Sequence, residues 1–125
     1  MLIYICCSGG ATSSMFCQKI GEASNKKYVV GYIADILPKI DEYLKAYELV
    51  LAYGAVDFVK EGNVKDTGLQ TKLSSIWIAP QVRFMAPTIQ SYYAQFHIPV
   101  EVIDMRTFGV MDGVKAWQDI QAHLE

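Results

Sequence analysis

The sequence predicts an α/β fold: an open parallel sheet of four or five strands with helices on both faces and flavodoxin-like winding. Leu2-Ile3-Tyr4-Ile5-Cys6 is an apolar run of strand length at the very start of the chain, and it empties into a loop of small residues before helical spacing begins. Further runs at 28–33, 76–79 and 100–103 are rich in β-branched and aromatic residues and are separated by stretches long enough for helices. Strand, helix and strand in alternation make parallel βαβ units, whose crossovers are right-handed in nearly every known case and bring all strand ends to one edge.

Taken in order, the first helix is expected from about Ser13 to Asn25, with Thr12 or Ser13 as N-cap, Met15, Phe16, Ile20 and Ala23 as its apolar contacts, and Lys26-Lys27 closing it. Tyr28-Val29-Val30-Gly31-Tyr32-Ile33 is the second strand. Pro38 suits a first helical turn, and Leu37, Ile40, Leu44 and Tyr47 recur at helical spacing. The same stripe continues through Leu51, Ala55 and Phe58 as one long helix. The rival, a short buried strand at 48–53, is preferred because Val50 and Tyr53 lie in a run of strand length that stops at Gly54. Glu61-Gly62-Asn63 and Asp66-Thr67-Gly68 mark an exposed connection. Ser75-Ile76-Trp77-Ile78-Ala79 is a strand ended by Pro80; a helix follows from Val82 to Phe96, bent or restarted at Pro87. Val100-Glu101-Val102-Ile103 is the last strand. Asp112 or Gly113 opens a final amphipathic helix through Val114, Trp117, Ile120 and Leu124. All strands are expected parallel, in the order 2-1-3-4-5 if the middle run joins, with the end of the first strand at the crevice where winding reverses.

A chain of 125 residues suits a single domain, 1–125. Hydrophobic residues make up 52% and charged residues 19%, which is core material and excludes a disordered tail. A net charge of −2 offers no basic footprint, so nucleic acid and anionic membranes are poor partners. No run is long enough to span a bilayer and no basic leader precedes the first strand, so a cytoplasmic location without direct membrane insertion is expected. The 3 cysteines, Cys6, Cys7 and Cys17, have no zinc-ligand spacing and fit a reducing compartment. Cys6 is expected in the core, and Cys17 as a buried helical thiol in preference to a redox partner.

The residues from Cys7 to Ser14 (CSGGATSS) carry the chemistry. Gly9 and Gly10 permit positive φ, so consecutive N–H groups of Ser8, Gly9, Gly10, Ala11, Thr12, Ser13 and Ser14 can curl around an anion at a helix N-terminus, and phosphate is the natural guest. A thiol facing such amides is favoured as thiolate, the nucleophilic form. Cys7 is therefore the candidate phosphoryl acceptor, set against the common role of a strand-end cysteine as a small buried hydrophobe.

Ile3 to Ser14 (IYICCSGGATSS) resembles the phosphocysteine loop of the IIB components of the sugar phosphotransferase system, in the lactose, cellobiose and chitobiose branch. Ala79-Pro80-Gln81-Val82-Arg83-Phe84-Met85, then Pro99-Val100-Glu101-Val102-Ile103-Asp104 and the stretch from Gly109 to Gly113, are similar to later segments of that family in the same order. The likeness covers about residues 1–35 and 74–125; residues 36–73 run longer than the family pattern. It implies that a phosphohistidine on a IIA protein donates to Cys7, that Cys7 donates to a sugar held by a membrane IIC subunit, and that no metal or cofactor takes part. The docking surface round the loop is expected to be apolar and flat, with Met15 and Phe16 as rim candidates and core packing as the safer role for at least one of them.

Other readings stay open. Low-molecular-weight tyrosine phosphatases resemble this design, but their pattern is Cys, five residues, Arg, and Ser13 occupies the arginine's place here. Without a guanidinium, hydrolysis loses its main electrostatic aid, whereas a relay can still hold and pass on a phosphocysteine. A small cysteine phosphatase or arsenate-reductase-like enzyme, and a flavodoxin-like module that only binds an anion or nucleotide, remain the alternatives. Asp104 at a strand end either orients loop amides or simply forms a turn; Gln81 and Arg83 are accessory candidates, Arg83 for a phosphorylated partner or for covering a helix. His97 and His123 offer Cys7 no local partner and are expected to face solvent or cap helices.

Overall fold

The computed structural model describes residues 1–7 and 11–124. A single five-stranded sheet organises them, built from β1 (Leu2–Cys7), β2 (Tyr28–Tyr32), β3 (Leu49–Ala55), β4 (Ser75–Ile78) and β5 (Val100–Val102). Every pairing is parallel, as the apolar runs predict. The disputed middle run is a strand: Leu49, Val50, Leu51 and Ala52 are buried on both faces of the sheet, which suits an interior parallel strand better than a one-faced helix.

The order is β2-β3-β1-β4-β5, which corrects the expected 2-1-3-4-5. β3, not β2, pairs with β1, and Cys7 is in register with Ala55. The first helix, α1 (Ala11–Ser24), consequently passes over β3 to reach the edge strand β2. β1 and β3 are equally apolar, so burial patterning alone does not choose between them.

Side chains of β1 alternate between two helical layers. Ile5, with Trp77 and Ile103, meets Phe16 and Ile20 of α1 and Ala116 and Ile120 of α7 (Gly113–Ala122). Tyr4 points the other way, its ring 6.3 Å from that of Phe58 and its hydroxyl donating to the Ala55 carbonyl at 2.7 Å. On that second face lie α2 (Ile33–Ile36), α3 (Ile40–Ala46), the short α4 (Glu61–Val64) and α5 (Ala86–Tyr93), and Tyr93 donates its hydroxyl to the Val59 carbonyl at 2.9 Å. In the 61–68 connection Glu61, Gly62, Asn63 and Asp66 are exposed and Thr67 and Gly68 half-buried, while Val59, Val64 and Leu69 beside them are buried.

Local chemistry sets the remaining boundaries. α1 begins at Ala11, so Thr12 and Ser13 stand inside its first turn and are not its caps; Asn25, with φ of 58°, ends it in the left-handed conformation that asparagine tolerates. The helix expected from Val82 is broken: Pro80–Met85 is a 3₁₀ segment, Val82 is non-helical, and Pro87 sits in the first turn of α5, where its missing N–H costs nothing. A further helix, α6 (Met105–Gly109), fills the space after β5. Val114, expected on the apolar stripe of α7, is 60% exposed, while Trp117 and Ile120 are buried.

Candidate functional site

β1 and β4 are neighbours whose outgoing connections leave on opposite faces of the sheet: α1 departs toward β2, and the 80–96 segment departs toward β5. A crevice at the carboxyl edge is expected wherever adjacent connections part in this way. Cys7, the last residue of β1, stands there. The Ala79 N–H bonds the Cys6 carbonyl at 2.8 Å, which ties the turn after β4 to the end of β1. With the corrected order, the reversal of winding lies between β1 and β4.

Cys7 is 6% exposed, and the Ser13 hydroxyl donates to its Sγ at 2.6 Å. Ser13 itself has no exposed surface. Two residues six apart thus meet because the chain turns from strand to helix between them, and Ser13 lies in the first turn of α1 with its side chain directed back at the sulfur. Of the other loop candidates, Thr12 is exposed and Ser14 half-buried; Ala11 begins the helix. Ser8, Gly9 and Gly10 lie outside the described residues.

The neighbouring thiols differ in environment. Cys6 leaves β1 on the opposite face, with its Sγ 3.5 Å from the Trp77 carbonyl. Burial, reinforced by the charge of Cys7, pushes the Cys6 and Cys17 thiols well above the ordinary range and holds both as neutral S–H. Both have no exposed surface, and neither is in a disulfide.

The accessory candidates share the edge at different distances along it. Gln81 and Arg83 are exposed on the 3₁₀ segment after β4, and Arg83 reaches back to the Pro80 carbonyl at 3.4 Å. Asp104 follows β5, one strand further out, and its carboxylate caps α6 by accepting from the Thr107 N–H at 3.0 Å and the Thr107 hydroxyl at 3.1 Å. Those two bonds hold the Asp104 carboxyl below its ordinary value. The structure thus gives Asp104 the turn-forming role. Both histidines lie at the other edge of the sheet: with Met1, Ser74 and Pro99 they line a shallow cavity at the strand starts. His123 caps α7 and its ring packs edge-on against Trp77.

Sequence reasoning overlooked part of the apolar surface beside this crevice. Phe16 is core, its ring in T-shaped contact with Phe108 at 5.4 Å, whereas Met15 is 57% exposed. Phe84, in the segment after β4, is 73% exposed, and Met105, opening α6, is 64% exposed. A large apolar residue just past a strand end was the available signal in both cases, since interior packing cannot reach there and only a surface role explains the type.

Among the described residues no helix is long and apolar enough to cross a membrane. No family model matches the chain. The PTS system oligo-beta-mannoside-specific EIIB component of Bacillus subtilis (strain 168) is 40% identical over 47 residues, 38% of this chain and 46% of that protein. The chain therefore matches under half the length of this curated relative. A solution structure of the cellobiose-specific phosphotransferase IIB component protein from Borrelia burgdorferi superposes with a TM-score of 0.61 at 20% identity, covering 99% of this chain and 91% of that one, a likeness of fold. The resemblance to phosphotransferase IIB components is borne out in sequence by the first match, and the second agrees with it in fold.

Proposed function

We propose that this chain is the IIB component of a sugar phosphotransferase system, a single cytoplasmic domain of residues 1–125, in which Cys7 accepts a phosphoryl group from a phosphohistidine IIA protein and passes it to a sugar at a membrane IIC subunit. The observation that carries this reading is the position of Cys7: it ends the central strand at the switch crevice, with a hydroxyl at its sulfur and a serine where a hydrolase of similar design has arginine. In acceptance, Sγ attacks phosphorus in line; the N–P bond breaks with its electron pair returning to the imidazole, and an S–P bond forms. In donation, a sugar hydroxyl attacks, the S–P pair returns to sulfur, and the hydroxyl proton passes to water.

The amides from Ser8 to Ser14, with the hydroxyls of Ser8, Thr12 and Ser14, would hold the phosphoryl oxygens, and the N-terminus of α1 adds its positive end. Such a cradle binds the group by dipoles and supplies no formal charge to a hydrolytic transition state, so the phosphocysteine persists long enough to meet a second partner. Mass spectrometry after incubation with phosphorylated IIA tests the reading. One added phosphoryl group on Cys7, stable over the time needed for transfer, is the expected result; no label, or label lost to water at once, removes it.

A further inference from the structure

We infer that Ser13 is a positioning residue for Cys7: its hydroxyl serves the sulfur, orienting Sγ for attack before acceptance and stabilising the thiolate that leaves during donation, and does not serve the phosphoryl oxygens. The 2.6 Å contact runs from Ser13 Oγ to Cys7 Sγ in a site where Ser13 has no exposed surface, so water does not compete for that proton. A hydrogen bond whose acceptor becomes charged strengthens as the charge appears. Once phosphorus is attached, the sulfur is a thioester-like atom and a poor acceptor, so the bond is worth most in the two states that flank the phosphocysteine. The hydroxyl thereby favours loss of the phosphoryl group to an attacking acceptor without adding the positive charge that a guanidinium would bring. Helix geometry reinforces the assignment: Ser13 is fixed by the first turn of α1, whose next turn is anchored in the core by Phe16 and Cys17.

Among the described residues, Tyr4 and Cys6 on its own strand and Cys17 on α1 are in electrostatic touch with Cys7, and burial pushes all of these upward. Iodoacetamide products located by mass spectrometry distinguish Cys7 from the buried Cys6 and Cys17. The role in donation rests on the relay reading; the hydrogen bond to sulfur does not, and its test uses unphosphorylated protein alone.

Iodoacetamide alkylation of Cys7, followed by mass spectrometry across pH, is compared in wild type, Ser13→Ala and Ser13→Thr. Loss of the hydroxyl should move the midpoint of the rate profile upward by roughly one pH unit, and threonine should restore it. Coincident midpoints in wild type and a folded Ser13→Ala overturn the inference. Should both variants fail to fold, the wild type decides by NMR: a slowly exchanging Ser13 hydroxyl proton close to the Cys7 β-protons supports the assignment, and its absence overturns it. With phosphorylated IIA and an acceptor present, Ser13→Ala should pass on its label roughly tenfold more slowly. A shifted alkylation midpoint in a protein that takes no label from IIA would uphold the sulfur contact and sink the relay.

Discussion

Cys6 and Cys7 are consecutive residues whose side chains leave β1 on opposite faces, and that alternation divides their chemistry. Cys6 faces the α5 layer and is held as a neutral thiol; Cys7 faces the α1 layer and meets a hydroxyl. Cys7→Ser should abolish phosphoryl acceptance, because a serine hydroxyl is a far weaker nucleophile than a thiolate. Cys6→Ser and Cys17→Ser should still take the label, while each loses roughly 1–2 kcal/mol of stability by burying a hydroxyl where a thiol packed; chemical denaturation and labelling measure the two effects separately. The role of Ser13 shows the limit of spacing arguments. Counting six residues from Cys7 identifies the place where a phosphatase has arginine, and from sequence an arginine put there would speed hydrolysis if it fits. Zero exposure at Ser13 leaves no room for it. Ser13→Arg should instead lower stability by about 3 kcal/mol or more, through overpacking and a buried charge, and should fail to gain phosphatase activity in any fraction that folds.

Elements were legible where a local rule decided them. The run of strand length that holds Val50 and Tyr53 marked β3, although the strand continues through Gly54, where a turn was expected, to Ala55, and Pro87 marked the restart of α5 in its first turn. The start of α1 was misjudged by two residues because serine and threonine favour caps, yet here Ser13 stands inside the first turn with its hydroxyl on Cys7. Strand order was not legible: β1 and β3 are both apolar on both faces, so neither pattern nor length says which of them lies beside β2. Two element-scale tests follow from packing. Gly113 opens α7 against the Lys19 carbonyl of α1, where an added Cβ would collide with backbone. Gly113→Ala should therefore cost about 2 kcal/mol, read from the denaturation midpoint. Asp104 provides the other test. Thr107 holds its carboxyl below the ordinary value, so the charged cap stabilises the fold above the unfolded-chain value of about 3.9 and is lost as pH falls through the lower folded one. Asp104→Asn keeps a polar cap that does not titrate. The gap in melting temperature between wild type and this variant should be widest near neutrality and shrink below about pH 4; a constant gap would show that the carboxylate contributes nothing at that turn.

At the scale of the molecule, the crossover connections place the reactive edge and the exposed apolar side chains together. α1 and the segments after β4 and β5 all begin at the carboxyl edge, so the exposed Met15, Phe84 and Met105 belong to connections that start on the same edge as the end of β1. The sequence offered Met15 and Phe16 as rim candidates with at least one of them expected in the core, and the helix separates them: Phe16 is buried and Met15 is exposed. A rim of this kind, with exposed Arg83 and Arg106 beside it and a net-acidic chain behind, suits a partner that docks chiefly through apolar contact and is oriented by a few charges. The discriminating experiment places the same charge at two adjacent residues. Met15→Asp, at a site already 57% exposed, should leave the melting temperature within about 2 °C of wild type and slow phosphoryl transfer from IIA roughly tenfold by burying a carboxylate at the contact. Phe16→Asp removes a fully buried ring packed on Phe108 and should unfold the protein, with a cost of about 3–5 kcal/mol before the buried charge is added. Transfer by wild type should change by less than about threefold between 50 and 500 mM salt, because apolar contact is not screened. Wild-type transfer rates in a folded Met15→Asp variant, or a steep fall of the wild-type rate with salt, would place the docking contact elsewhere on the edge and leave Arg83 and Arg106 as its principal determinants.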